Sequence, residues 1–221
     1  MPEILTQAFD FIAKGGIVMI FIILCSIAAI VFFVERLIAL RQAQKQTEAL
    51  KTPLLEAVTE NQIERAMTLC DNHPGPLAEL AKAALQHKSL TREGIQEIIS
   101  DAGRRQAAKL ERFIPALGSI ASISPLLGLL GTVTGMIAVF SSLADEYAAG
   151  AQANPGMLAG GIWEALLTTA AGLCVAIPAF MMHRMLNAKL DTLWLDIEAA
   201  TTSLVDLLAP APQQSHAADK K

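Results

Sequence analysis

The stretch from residue 15 to residue 34, GGIVMIFIILCSIAAIVFFV, decides the fold class because none of its side chains is charged. A helix rises ~1.5 Å per residue, so this stretch reaches roughly 30 Å, the thickness of a bilayer's hydrocarbon core. The residues before it lack the basic region of a signal peptide, and no small-residue cleavage site follows it. The stretch therefore predicts a retained membrane-spanning helix.

Two further apolar blocks occupy residues 116–143 and 156–182. Each is longer than a single crossing requires, so each is expected to tilt, kink or extend beyond the bilayer. Pro125 and Pro178 lie inside them. The whole chain is 53% hydrophobic and only 17% charged, whereas a soluble domain carries about 25% charged residues. The predicted fold class is an all-α integral membrane protein with three transmembrane helices.

Charge and cysteine content exclude several classes of function. The net charge of −4 gives no electrostatic support for binding nucleic acid. Cys25, Cys70 and Cys174 have no metal-ligand spacing and are interpreted as small buried hydrophobes. Because no nucleophile–base pair, metal motif or phosphate-binding glycine loop is present, we predict no enzyme activity, no metal and no cofactor.

The basic residues predict the topology. Residues 35–112 hold 12 of the 17 Lys and Arg residues, and the loop at 142–160 holds none. Since basic loops stay in the cytoplasm, the N-terminus is predicted outside and the C-terminus inside.

The predicted organisation divides the chain into consecutive segments. They are a periplasmic segment 1–14, transmembrane helix 15–36, cytoplasmic helical domain 37–112, transmembrane helix 113–143, periplasmic loop 144–156, transmembrane helix 157–183, cytoplasmic helix 184–208 and disordered tail 209–221.

The large loop is predicted to be helical. Apolar residues recur at helical spacing at Ile95, Ile98, Ile99 and Ala102. The sequence NHPGP at 72–76 predicts a break, and Thr91 is a predicted N-cap with Glu93 in the first turn. No stop signal precedes Pro115, so this helix is predicted to continue into the second span.

Small residues follow one face of each of the two later spans. Those on the second span are Ala121, Ser124, Gly128, Gly131, Gly135, Ala138 and Ser142, and those on the third are Ala165, Thr169, Gly172, Ala176 and Ala179. Small residues let membrane helices approach closely. We predict helix-packing roles for Gly128, Gly131, Gly135, Gly172 and Pro178. The packing can lie within one chain, between copies of it, or both.

Glu164 is the one acidic residue inside the three apolar blocks. An ionised side chain at mid-bilayer costs ~2.5–3.5 kcal/mol or more, so Glu164 should face a bundle interior or water, or lie close enough to the surface to be solvated. Thr132, Thr134, Thr168 and Thr169 are near the middle of the same two spans. They either bond their own helix backbones or supply hydroxyls to a proton relay. Such a relay would need a second carboxylate from a partner.

Two segments carry a family resemblance: GLLGTVTGM at 128–136 and GIWEALLTTAAGLCVAIP at 161–178. The pair resembles the signature of the MotA/TolQ/ExbB proton-channel family, which implies a homopentamer around a dimer of single-span partners that carry a proton-binding aspartate. The resemblance places Thr132 and Thr169 beside that aspartate in the pore, and matches Glu164 to the glutamate of the third-span motif.

The resemblance also implies a place in the cell. Three spans, and the Glu35-Arg36-Leu37 closure of the first one, are similar to the ExbB-like branch. That branch implies an inner-membrane complex with an ExbD-like partner and a TonB-like protein that drives outer-membrane transport. The alternatives are a TolQ-like subunit of the Tol-Pal envelope system, acting through TolR and TolA, and a non-conducting membrane scaffold.

Overall fold

Six α-helices make up the chain in a computed structural model that describes residues 16–148, 150 and 155–209. They are α1 Gly16–Thr59, α2 Ile63–Asn72, α3 Pro76–Gln86, α4 Arg92–Leu110, α5 Ile114–Ala148 and α6 Pro155–Leu208. The all-helical prediction is confirmed, and three helices (α1, α5 and α6) are long and apolar enough to cross a membrane. The predicted segment 1–14, most of the loop after α5 and the tail beyond Ala209 lie outside the described residues.

Two of these helices extend far past their apolar stretches. α1 continues from the first span to Thr59, and α6 combines the predicted third span and the predicted C-terminal helix in one element of 54 residues. Pro178 lies inside α6 without ending it. A proline removes one backbone donor, which a membrane helix tolerates when neighbouring groups satisfy the freed carbonyl.

The prediction that the helix beginning after Thr91 continues into the second span is wrong. α4 ends at Leu110, and Phe113 adopts a left-handed backbone conformation with φ of 67° before α5 begins at Ile114. Pro115 follows in the first turn of α5, where its missing N–H costs nothing. Phe32 stacks on Phe113 with ring centroids 5.0 Å apart, an aromatic contact inside the span unit.

The chain forms two compact units, and the break after α4 lies at their boundary. The span unit comprises the described residues of Met1–Glu35 and Phe113–Asn187, and the amphipathic unit comprises Arg36–Arg112 and the described residues of Ala188–Lys221.

The amphipathic unit has a core of large side chains. Its fully buried members include Leu40, Leu50, Leu54, Leu77, Ile95, Leu193, Ile197 and Leu204. The predicted break at 72–76 is confirmed, since α2 ends at Asn72 and α3 begins at Pro76. The predicted N-cap is also confirmed, because the Thr91 hydroxyl accepts a hydrogen bond from the Gly94 N–H at 3.3 Å. At the same end of α4, Arg92 pairs with Asp206 near the end of α6.

The span unit has the opposite pattern. Its buried positions on α5 and α6 are mainly small, including Ala121, Ser124, Gly128, Gly131, Ala165, Ala176 and Ala179. Large apolar side chains such as Ile27, Leu129 and Leu166 are exposed. An exposed apolar surface around a small-residue interior is typical of helices that pack in lipid.

Candidate functional site

Glycines bring α5 and α6 into direct backbone contact. A Cβ placed on Gly128 would lie 2.9 Å from the Thr169 Cα, and one on Gly172 would lie 2.6 Å from the Ser124 carbonyl oxygen. Both distances are shorter than real Cβ contacts, and the opposing atoms are backbone atoms that cannot move aside. Only glycine therefore fits at these two positions.

The contact continues along both helices in antiparallel order. Gly131 lies against the Thr168 side chain, Gly135 lies against Ala165, and Gly161 lies under Val139. The predicted small-residue faces thus meet each other inside one chain. Pro178 differs from the other predicted packing residues, because its ring is exposed beside the buried Ala176 and Ala179. A packing role for Pro178 stays a prediction.

One hydrogen bond joins the two helices at this contact. The Thr169 hydroxyl donates to the Gly128 carbonyl at 2.9 Å, and both residues belong to the motif segments. The Thr168 hydroxyl instead donates to Ala165 in its own helix at 2.8 Å, and its side chain is buried against Gly131. Neighbouring threonines therefore have different roles: Thr169 links the helices, and Thr168 fills the space that a glycine leaves.

The threonines of α5 bond their own helix. Thr132 donates to the Leu129 carbonyl at 2.6 Å, and Thr134 donates to the Leu130 carbonyl at 3.0 Å. Thr132 is half-buried and Thr134 is exposed. Since Gly128 precedes Thr132 by four residues, Thr132 lies about one helical turn along α5 from the bond made by Thr169. A hydroxyl has one proton, so Thr132 and Thr169, both donating to carbonyls, retain oxygen lone pairs that can accept a further hydrogen bond.

Glu164 lies apart from these two hydroxyls. Its side chain is half-buried, and a Cβ placed on Gly16 would lie 3.2 Å from its Oε1 atom. Gly16 is the first residue of α1, so the carboxyl group lies near the positive end of that helix dipole. The positive end of the α1 dipole therefore partly compensates a negative charge on the Glu164 carboxylate.

Glu164 also lines a cavity of about 310 Å³ between α5 and α6. Its polar lining is formed by Thr134, Ser142, Glu146 and Glu164. The sequence reasoning missed Glu146 and this cavity. A signal was present, because residues 134, 138, 142 and 146 are spaced by four and share one face of α5.

The Glu35-Arg36-Leu37 sequence that follows the first apolar block has a structural role. Arg36 is 6% exposed, and its guanidinium donates to the Lys109 carbonyl at 2.9 Å and the Leu110 carbonyl at 3.3 Å. These are the last carbonyls of α4, which have no partner within their own helix. The arginine therefore caps the end of α4 inside the amphipathic unit.

The prediction that the three cysteines are small buried hydrophobes holds for Cys70 and is wrong for the other two, since Cys25 is half-buried and Cys174 is exposed. The described residues contain no group of three His, Cys, Asp or Glu side chains that could hold a metal ion. Cys70 is buried, and desolvation raises the pKa of its thiol to about 11. Little of this thiol is ionised near neutral pH, so it is a poor nucleophile.

Comparison with known proteins gives the same family as the motifs. Residues 72–199, more than half of the chain, match the model of the MotA/TolQ/ExbB proton channel family. The chain is 34% identical to the biopolymer transport protein ExbB-like 1 of Synechocystis sp., an alignment that covers 94% of this chain and 82% of the relative.

Relatives from both branches of the family are similar to the chain. The biopolymer transport protein ExbB of Neisseria meningitidis is 31% identical, with 85% of this chain and 88% of the relative covered. The Tol-Pal system protein TolQ of Pseudomonas aeruginosa is 28% identical, with 85% and 86% covered. The family is a transport-related proton channel family. The chain, which has three helices long and apolar enough to cross a membrane, belongs to the MotA/TolQ/ExbB proton channel family.

Proposed function

We propose that this chain is an ExbB-like wall subunit of a proton channel in the bacterial inner membrane. Five copies surround a dimer of an ExbD-like single-span partner. The complex uses the proton-motive force, and a TonB-like protein passes the work to outer-membrane transporters. The charge distribution supports a periplasmic N-terminus and a cytoplasmic C-terminus, since 12 of the 17 Lys and Arg residues lie between residues 35 and 112.

The hydrogen bond between Thr169 and Gly128 is the observation that carries this proposal. It connects the two motif segments through a polar group at a contact that apolar residues alone could form. With their protons engaged by backbone carbonyls, Thr169 and Thr132 offer acceptor lone pairs. These lone pairs suit a donor such as water or a protonated carboxylic acid.

The low acidic content of the spans supports a carboxylate that comes from the partner. Glu164 is the single acidic residue of the three apolar blocks, and the hydroxyls of Thr132 and Thr169 donate to backbone carbonyls and not to its carboxylate. One proton that crosses a membrane potential of 100 mV releases ~2.3 kcal/mol. The complex can use this energy only if a group inside the membrane binds the proton from one side and releases it to the other. We assign that group to the partner's single span.

Hydroxyl substitutions test the proposal. Thr132→Val and Thr169→Val keep the side-chain shape and remove the hydroxyl, so we expect assembly to persist and partner-dependent uptake through outer-membrane transporters to fall at least tenfold. Thr192→Val is the matched control, since Thr192 is exposed outside the three apolar blocks and its hydroxyl also donates to a carbonyl of its own helix, that of Ala188. Wild-type uptake in all three variants would favour the scaffold alternative.

Glu164 is tested by a pair of substitutions. Glutamine retains size and hydrogen bonding but cannot exchange a proton, and alanine removes the group. If Glu164 carries protons, Glu164→Gln lowers uptake several-fold at unchanged complex yield. Wild-type uptake in Glu164→Gln, with reduced complex yield in Glu164→Ala, would assign Glu164 a structural role in assembly instead.

A TolQ-like role is the second candidate, because a TolQ protein is 28% identical over 85% of this chain. Co-purification separates the two. The ExbB-like proposal expects an ExbD-like partner in a native complex of five plus two chains. Retention of a TolR-like partner alone would assign the chain to envelope integrity.

A further inference from the structure

The cavity between α5 and α6 has a lining that favours water. Its residues fall into hydroxyl, carboxyl and small or apolar groups: Thr134, Ser142, Glu146, Glu164, Gly135, Ala138, Val139, Leu143, Leu158 and Gly161. A volume of about 310 Å³ accommodates on the order of ten water molecules. Water enters a cavity when polar partners are present, and two carboxyl and two hydroxyl groups supply them.

One end of the cavity is closed by helix packing. A Cβ on Gly135 would lie 3.2 Å from the Ala165 Cβ, and one turn further Gly131 lies against Thr168. Beyond these contacts comes the bond between Thr169 and Gly128. The contact between α5 and α6, which we call the seam, is thus tightly packed on the side of the cavity that leads to the Thr132 and Thr169 hydroxyls.

The other end of the cavity is lined by residues close to the ends of the apolar blocks. Glu146 lies near the C-terminal end of α5, and Leu158 lies in the first turn of α6. Ser142 is one turn from Glu146, and Thr134 is two turns deeper. Polar side chains therefore follow one face of α5 from the end of the helix down to the level of Glu164.

We infer that this cavity is a hydrated inlet for protons that ends at Glu164, with Glu146 at its entrance. This inference rests on the proposed function. Hydronium in the cavity transfers a proton to the Glu164 carboxylate, leaving water and a neutral carboxylic acid. The acid then gives its proton to the carboxylate that we assign to the partner's single span, which restores the Glu164 carboxylate. The tight packing of α5 against α6 closes the direct route from the cavity to Thr169 within one chain. The proton therefore leaves Glu164 toward the interior of the assembled channel and not along the contact between the two helices.

Thiol accessibility tests whether the cavity is hydrated. In the complete complex, Cys25→Ser and Cys174→Ala remove two native thiols, and Cys70 is retained because burial makes it unreactive. We expect a small charged methanethiosulfonate reagent, added to right-side-out membrane vesicles, to modify Thr134→Cys and Ser142→Cys at least tenfold faster than Ala165→Cys in the closed seam. Equal, slow modification of Thr134→Cys and Ala165→Cys overturns the inference.

Proton flux tests whether the hydrated cavity is used. We expect Glu146→Gln to lower the flux through the complex several-fold, whereas Asp145→Asn, whose side chain is exposed and does not line the cavity, retains wild-type flux. Ala138→Phe, which fills the cavity without altering charge, should also lower it. Full flux in both Glu146→Gln and Ala138→Phe overturns the inference and leaves the proposed function standing. A wild-type complex that moves no protons overturns both, while the thiol rates still report on hydration.

Discussion

The span unit and the amphipathic unit place opposite kinds of residue in their interiors. In the amphipathic unit, Leu54, Leu77 and Leu204 are fully buried, and charged side chains occupy the surface. In the span unit, glycine and alanine are buried, and large side chains such as Leu129 and Leu166 are exposed. Burial of apolar surface stabilises the first unit at about 25 cal/mol per Å². That term is absent between helices in lipid, where close backbone contact and hydrogen bonds replace it.

The largest expected effect comes from the core of the amphipathic unit. Leu193 is 2% exposed, and Leu195, two residues away on the same helix, is 66% exposed. Leu193→Ala should lower the free energy of unfolding by about 2–5 kcal/mol because it leaves a cavity. Leu195→Ala should change it by less than ~0.5 kcal/mol. Thermal unfolding of the purified protein measures both, and equal losses would contradict the assignment of the core.

The exposed surface of the span unit gives the second test. Ile27 is exposed in the first apolar block, so Ile27→Arg places a charge in hydrocarbon and should disfavour insertion by about 2.5–3.5 kcal/mol. Leu195→Arg, at an exposed position in the amphipathic unit, should insert normally. The inserted fraction in membrane preparations measures the difference. Normal insertion of Ile27→Arg would show that this surface does not face lipid.

The glycine contacts give the smallest of these effects on stability. A Cβ on Gly172 meets the Ser124 carbonyl oxygen at 2.6 Å, whereas nothing lies within 4 Å of one on Gly160. Gly172→Ala should destabilise the span unit by about 1–3 kcal/mol through overpacking, and Gly160→Ala serves as the control on the same helix. Melting temperatures in detergent report both. A neutral Gly172→Ala would mean that α5 and α6 are separated more widely in the bilayer.

The comparison also explains which features were predictable from sequence. Helical periodicity identified Ile95 and Ala102, which are buried, because a soluble core selects large apolar residues at that spacing. The apolar blocks predicted the spans, because length and the absence of charge determine whether a helix can cross a bilayer.

The features that could not be predicted from the sequence depend on tertiary contacts. The end of α4 depends on capping by Arg36, a residue more than 70 positions earlier in the chain. Thr168 and Thr169 are adjacent and chemically identical, and only the position of α5 assigns one to Gly131 and the other to the Gly128 carbonyl. The role of Glu146 depends on the space left between two helices. Local patterns carry no information about such distant partners.

Voltage-driven proton uptake into liposomes measures whether this chain and its partner conduct protons through the two hydroxyls. Purified complex of this chain with its single-span partner is reconstituted, and an imposed membrane potential drives uptake reported by an internal pH-sensitive dye. We predict uptake by the wild-type complex, at least tenfold less by the Thr132→Val/Thr169→Val double variant at equal reconstitution, and none when the partner is omitted. Uptake by the double variant at the wild-type rate would contradict the account.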